Sequence, residues 1–361
     1  MKKTGIKMNN PIYKKHVHII NPQGLGDIVM IFPLIDHLIN THPKSISFSV
    51  KGQAESDIIR FFFSSIGHDQ FVRVSEFKKI KNPVIRYIKY IQSVQRLKPD
   101  IVISCFNVHP MLASLTAFFS RAKIRIGWKS SWDFFNTTSI SVIPGKHKVF
   151  QHLSLLEVIS KKKLRPRPVS FCVHPKTWQS MIQRFEAQGG NIETNYIIGI
   201  APGSGLLEKH KRWPISKYSK LIDKVLTIPN TKVILLGSAL ESDLSHDIIK
   251  MIENKRSVIN FTGKTNIIET LHLLRLCDIV VANCNGLSHL AGAVGTKVIG
   301  LYGPTDPSHT GVFSPDLTII QKKKKCSPCY CRENITGCGN PTCLTDISVS
   351  EVFDSLMIMG I

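Results

Sequence analysis

Three short stretches of this chain carry residue types whose spacing could do chemistry. In Gly24-Leu25-Gly26-Asp27, two glycines follow a short apolar run and an aspartate opens the next segment. The glycines let backbone come close to a ligand. The carboxylate has two readings: it caps a helix, or it is a general base for an acceptor hydroxyl, which is a poor nucleophile until its proton is taken. The second stretch is Ala201-Pro202-Gly203-Ser204-Gly205, followed by Lys209-His210-Lys211-Arg212-Trp213-Pro214. A Gly/Ser loop after a strand can offer N–H and hydroxyl groups to phosphate, and Lys211 can counter the charge of a leaving diphosphate. Lys209 and Arg212 read as solvated charge, and Trp213-Pro214 as a packing anchor.

The third stretch, residues 279–307, reads as strand, glycine turn, helix, strand and loop. Its helix mouth, Asn285-Gly286-Leu287-Ser288-His289, offers N–H groups and the positive end of a helix dipole, a place for a nucleotide diphosphate. An ordinary ligand-free turn has the same look. Just upstream, Thr262-Gly263 either passes a nucleobase or is plain turn chemistry, and His289 either reaches a phosphate or is structural. A fourth feature is Cys326-x2-Cys329-x-Cys331-x6-Cys338-x4-Cys343. Thiolates at such spacing can hold a structural zinc, against which stand packed thiols.

Elements must position these residues. Strands are expected at residues 16–21, 45–50, 101–104 and 124–128, with helices at 28–35, around 58–62, at 84–97 and at 110–122. A basic loop-like segment at 161–168 separates a second half. There a strand is expected at 170–174 and a helix at 177–188. Further strands follow at 197–200, 232–236, 258–260, 279–282 and 298–302, with helices between them. This alternation calls for parallel sheets covered by helices on both faces. The expected domains are 1–168, 169–346 with the cysteine-rich tail, and a last helix within 347–361 that packs back on the N-terminal domain.

The 361 residues suit two domains. A net charge of +22, from 47 Lys and Arg against 25 Asp and Glu, points to an anionic partner. The basic N-terminus lacks the apolar core of a secretion signal, and no run of about 18 apolar residues spans a bilayer. The expectation is a cytoplasmic protein, peripheral on the inner membrane face. No nucleic-acid motif accompanies the charge, so nucleic acid is not an expected partner.

Taken together these pieces resemble glycosyltransferase family 9, the heptosyltransferases of lipopolysaccharide core synthesis. The resemblance rests on Gly26-Asp27 with Pro33-Leu34, Arg125-Ile126-Gly127, and His147 ahead of Leu153-Ser154-Leu155-Leu156. It extends through the PGS and KRWP loop, Thr262 to Thr265, and Gly286 to Pro307. It implies a GT-B fold, two Rossmann-like doubly wound α/β domains facing a central cleft. Transfer with inversion is implied, from a nucleotide diphosphate sugar such as ADP-heptose to an anionic glycolipid or glycan. Asp27 matches the base, and Lys211 and Ser204 match positions that steady the diphosphate. Gly203, Thr262, Gly263, Asn285, Gly286, Ser288 and His289 fall on the donor side; Gly24, Gly26, Arg125 and His147 on the acceptor side. No D-x-D occurs, which suits catalysis without a metal or other cofactor.

Two departures stand out. Cys284-Asn285-Gly286 replaces the family's Asp-Thr-Gly or Asp-Ser-Gly, removing a carboxylate, and Gln151 replaces an arginine. Asn285 then serves as a neutral cap, or donor preference has shifted, or activity is lost. The alternative functions are a nucleotide-sugar epimerase of the same architecture and a catalytically impaired nucleotide- or glycan-binding homologue.

Overall fold

In the computed structural model the chain is described over residues 11–106, 108–167, 169, 171–205, 208–329 and 339–360. It divides into two compact units, residues 1–169 and 170–361. The first holds β1 (His16–Ile20), β2 (Ser45–Val50), β3 (Phe71–Arg73), β4 (Ile101–Ser104), β5 (Ile124–Trp128) and β6 (Thr138–Ile140). The second holds β7 (Tyr196–Ala201), β8 (Thr231–Leu235), β9 (Val258–Asn260), β10 (Ile279–Asn283), β11 (Lys297–Tyr302) and β12 (Leu317–Gln321). All pairings are parallel. The two sheets run β3-β2-β1-β4-β5-β6 and β12-β11-β10-β7-β8-β9. Read from the other edge, the second repeats the first. Each order reverses direction once, between β1 and β4 and between β7 and β10, and ligands of such sheets bind beyond the strand ends at that point.

The central strands are buried on both faces, which is why they read as nearly unbroken apolar runs. β1 is the exception: His16 and His18 are buried in it. Their rings are met by hydroxyls of β2. His16 Nε2 lies 2.7 Å from Ser47 Oγ, and His18 lies 2.8 Å from Ser47 Oγ and 2.9 Å from Ser49 Oγ. Tyr90 donates to Ser49 Oγ at 2.7 Å from the helix Pro83–Arg96. Burial pushes His18 down to about 3 and lowers His16, so both rings are held neutral.

In the second unit, Trp213, Tyr218, Leu221 and Val281 share one core with Val352 and Leu356 of the last helix, Val349–Ile358. Trp213 donates its indole N–H to Ile347 O at 3.1 Å, as befits a packing anchor. Val349–Ile358 thus contributes Val352 and Leu356 to the second unit's own core. The edge strands β3, β6 and β12 were not anticipated, and 171–174 is irregular where a strand was expected. Among the described residues no helix is long and apolar enough to cross a membrane.

Candidate functional site

In the first unit, β1 ends at Ile20 and four residues lead into the short helix Leu25–Met30, whose N-cap is Gly24. Asn21, buried at the strand end, donates to the Asp27 carbonyl at 3.3 Å and so ties helix to strand. A methyl on Gly24 would meet nothing within 4 Å, so packing does not require that glycine and its backbone lies open. Gly26 and Asp27 sit in the helix's first turn. The N-cap position belongs to Gly24, and Asp27 stands three residues on, as the acidic residue of the first turn. Its carboxylate meets Lys148 Nζ at 3.1 Å, with side chains 24% and 10% exposed respectively.

Lys148 was missed by the sequence reading. It is the first residue of the helix Lys148–Ser160, capped by His147, whose Nδ1 accepts from Val149 N at 3.3 Å. That acceptor role leaves the imidazole proton of His147 on Nε2. One turn on, buried His152 donates from Nδ1 to Met30 O at 3.3 Å, clasping this helix to the one bearing Asp27. Burial first, then the charge of Lys148, lowers His152 to about 4. Cys105 adjoins from the end of β4: its amide bonds Ile20 O at 3.0 Å, and burial and the Asp27 charge raise its thiol. The cluster therefore lies at the β1/β4 reversal.

Arg125, on the acceptor side by resemblance, and Gln151, one of the two departures, are both engaged within the fold of this unit. Arg125 pairs in register with Val102, two residues before the end of β4. Its guanidinium is engaged by Phe135 O at 2.7 Å and Ala122 O at 2.8 Å and lies over the Phe118 ring. Nε and Nη1 thus hold the 122–135 segment together. Gln151 is completely buried, bonded to Ile143 N, Ile143 O and Lys146 O, and holds the preceding loop.

In the second unit the loops after β7 and β10 lie side by side, since Ala201 pairs with Ala282. Asn283 bridges them: its Nδ2 donates to Pro202 O at 2.7 Å, and its Oδ1 accepts from Trp213 N at 2.9 Å and Tyr218 Oη at 3.1 Å. Asn285 does the same one step further out. Its Oδ1 caps the helix Gly286–Ala293 through Ser288 N at 2.9 Å, while its Nδ2 reaches Gly203 O at 2.8 Å and Ala201 O at 3.2 Å. The neutral cap is thus the reading the structure supports for this departure. The positive end of that helix points toward the 202–205 loop.

Ser204 donates to Glu208 O at 2.7 Å and accepts from Arg212 Nε at 3.1 Å, and Arg212 also holds Gly205 O at 3.1 Å. Arg212 is therefore a loop clasp and not a merely solvated charge. Lys211, its side chain only 7% exposed, pairs with Glu208 at 3.0 Å. Glu241, also missed, brings a carboxylate into this loop: it takes Ser238 N and Oγ at 2.9 Å each and stands so close to Gly203 that a methyl there would collide with it. The signal for it was the capping pattern Ser238-x-x-Glu241.

Two donor-side expectations are corrected. Ser288 is fully buried and its hydroxyl donates to Asn285 O at 2.8 Å, completing the cap. Thr262 is buried with its hydroxyl 2.7 Å from Ser245 Oγ, which is turn chemistry. Gly263, at φ +72°, makes the left-handed step of that turn and donates to Gly237 O at 3.0 Å. His289, 4% exposed, is buried in the second turn of its helix. Cys331 and Cys338 lie outside the described residues; Cys343 belongs to the second unit's core. Among the described residues no group of three or more His, Cys, Asp or Glu is placed to hold a metal, and no zinc centre is assigned.

Chemically, the first unit presents a carboxylate steadied by an ammonium, suited to taking a proton. The second presents helix N–H groups, a glycine-rich loop and a buried lysine, suited to a diphosphate. The sequence profile of glycosyltransferase family 9 (heptosyltransferase) matches residues 88–339. The chain is 32% identical to lipooligosaccharide heptosyltransferase 2 of Haemophilus influenzae, over 85% of this chain and 88% of that one. Among solved structures, a glycosyl transferase family 9 protein from Veillonella parvula superposes with TM-score 0.77 at 20% identity, covering 98% of both chains. The E. coli ADP-heptose LPS heptosyltransferase II does so with TM-score 0.72 at 20% identity, covering 95% of this chain and 98% of that chain.

Proposed function

This chain belongs to glycosyltransferase family 9, with the two Rossmann-like domains of the GT-B fold, and from that premise we propose that it moves a heptose from ADP-heptose onto an anionic lipopolysaccharide-type acceptor. The observation that carries the reading is Asp27, held by Lys148 at 3.1 Å where the first sheet reverses its order. In the mechanism, the acceptor hydroxyl gives its proton to the Asp27 carboxylate as its oxygen attacks the anomeric carbon. The bond to the diphosphate breaks on the opposite face, and the configuration inverts. Lys148 fixes the carboxylate in position and repels a second cation from it.

The departing diphosphate takes up negative charge as the bond breaks. Lys211 and the N-terminus of the helix Gly286–Ala293 meet that charge, and Gly203 leaves room for the loop to fold beside Glu241. These groups do the work a divalent cation does elsewhere, so the proposed chemistry calls for no cofactor. The reaction is placed in the cytoplasm, on the inner face of the membrane, where a lipid-linked acceptor would be met.

Asp27→Asn tests the reading. It should still fold, with a somewhat lowered melting temperature because Lys148 loses its counter-charge, bind ADP-heptose, and lose transfer by about 10²–10⁴-fold. Turnover near that of the unaltered protein would remove Asp27 from the mechanism. An epimerised sugar from a donor-only incubation would favour the epimerase. Donor binding without release of ADP in the unaltered protein would favour the binding homologue.

A further inference from the structure

One surface of the first unit is unlike the rest. The helix Pro83–Arg96 buries Tyr90, Ile91 and Val94 against Val72, yet it leaves Val84, Ile85 and Ile88 exposed by 64%, 49% and 47%. At 100° per residue these three lie on a stripe flanking the buried one. The neighbouring helix Pro110–Phe119 extends it. Tyr87 donates to Leu112 O at 2.6 Å and Gln95 to Phe119 O at 2.5 Å, so exposed Leu112, Phe118 and Phe119 run beside the first helix. Phe118 meets Phe135 at 4.9 Å between centroids, and Phe135 meets Phe134, itself 69% exposed, at 4.3 Å. The Arg125 guanidinium holds this aromatic corner in place through Phe118 and Phe135 O.

Cations surround the strip. Lys78, Lys79, Lys81, Lys89, Arg121 and Lys123 are all exposed beside it. From residue 78 to 135 the sequence has eleven Lys and Arg against two acids, Asp100 and Asp133. Of these, Asp100 accepts from His16 N inside the fold. Exposed apolar side chains grouped on adjoining helices, with aromatic rings at one end and lysines nearby, are the mark of an interaction surface. Charge complementarity names the partner: apolar side chains enter the acyl boundary while lysines meet anionic headgroups.

We propose that the face built from Val84, Ile85, Ile88, Leu112, Phe119 and Phe134 docks the protein on an anionic lipid bilayer. The inference rests on the proposed reading of the acceptor as lipid-linked, and it names the surface by which the enzyme meets the membrane. Docking would hold the enzyme where its acceptor is concentrated.

The test is sedimentation of the full chain with phosphatidylglycerol/phosphatidylethanolamine vesicles, and with phosphatidylcholine vesicles as reference. The unaltered protein should bind the anionic vesicles, bind phosphatidylcholine far more weakly, and be released by salt. Ile85→Ser with Ile88→Ser should weaken binding about tenfold or more at unchanged melting temperature. Lys79→Glu with Lys81→Glu should do the same or worse, while Lys255→Glu with Arg256→Glu in the second unit should stay within about twofold. No binding to anionic vesicles, or equal loss from the second-unit pair, overturns the proposal. So does a dimer that the Ile85/Ile88 variant dissociates without any vesicle effect, since a second copy would then cover the face. The transfer reading is judged separately, by the rise in melting temperature that ADP-heptose gives without vesicles; its absence would count against that reading whatever the vesicles show.

Discussion

At the scale of single residues, Asn285 bears the heaviest structural duty of the positions that depart from the family pattern. One side-chain amide caps a helix and clasps the neighbouring loop through two carbonyls. Asn285→Ala should cost about 1 kcal/mol from the lost cap alone. It should also loosen Gly203 and Ser204, so that donor binding weakens along with the melting temperature. Asn285→Asp keeps the Oδ1 acceptor but turns a carboxylate toward two carbonyl oxygens, and it should recover the cap without recovering the clasp. Paired melting curves and donor titrations separate the two contributions; an alanine variant indistinguishable from the parent in both would end the idea. Asp27, Gly203 and Lys211 could be read from the chain because each follows a strand in a recognisable local pattern. Lys148 could not, since what makes it matter is a partner 121 residues away, and the capping pattern that marks Glu241 does not reveal the loop it meets 36 residues away. Thr262 and Ser288 show the complementary case: their types suit a ligand, but nearby backbone and hydroxyl groups already occupy their hydroxyls.

At the scale of elements, the first unit depends on imidazoles that must stay uncharged. His18 on β1 is lowered to about 3 and His152 on the helix Lys148–Ser160 to about 4, chiefly by burial. The unfolded chain binds protons to both rings near pH 6.5 and the folded chain does not. Their contribution is therefore fully present above pH 6.5 and is lost as pH falls toward those lower values. Each imidazole adds a slope of about 1.4 kcal/mol per pH unit in that window. Urea midpoints of the full chain should fall steeply between pH 6.5 and 4.5, and His152→Gln should flatten the fall. A midpoint independent of pH across that range would contradict the buried, neutral assignment. The elements most legible in sequence were the central strands, whose apolar runs are unbroken. The edges β3, β6 and β12 were lost because they are short or half solvated and so carry little pattern.

At the scale of the whole molecule, the alternation of strand and helix was enough to foresee two doubly wound units. The division after residue 169 falls just past the basic, proline-containing segment 161–168. What alternation could not convey is strand order, because parallel crossovers of similar length permit several. The order found has a consequence for how these units loosen. The chemically equipped loops grow directly from innermost strands, β1 in the first sheet and β7 and β10 in the second, each flanked on either side by paired neighbours. Amide hydrogens of Val17–Ile20 and Ile197–Ile200 should thus be the last to exchange with deuterated solvent, and those of β3 and β12 among the first. Under mild denaturant the rims can fray while donor binding persists, and binding should vanish only when the innermost amides begin to exchange. Mass-spectrometric exchange followed alongside donor binding would show the two events together; binding lost while β7 is still protected would mean that the loops melt on their own.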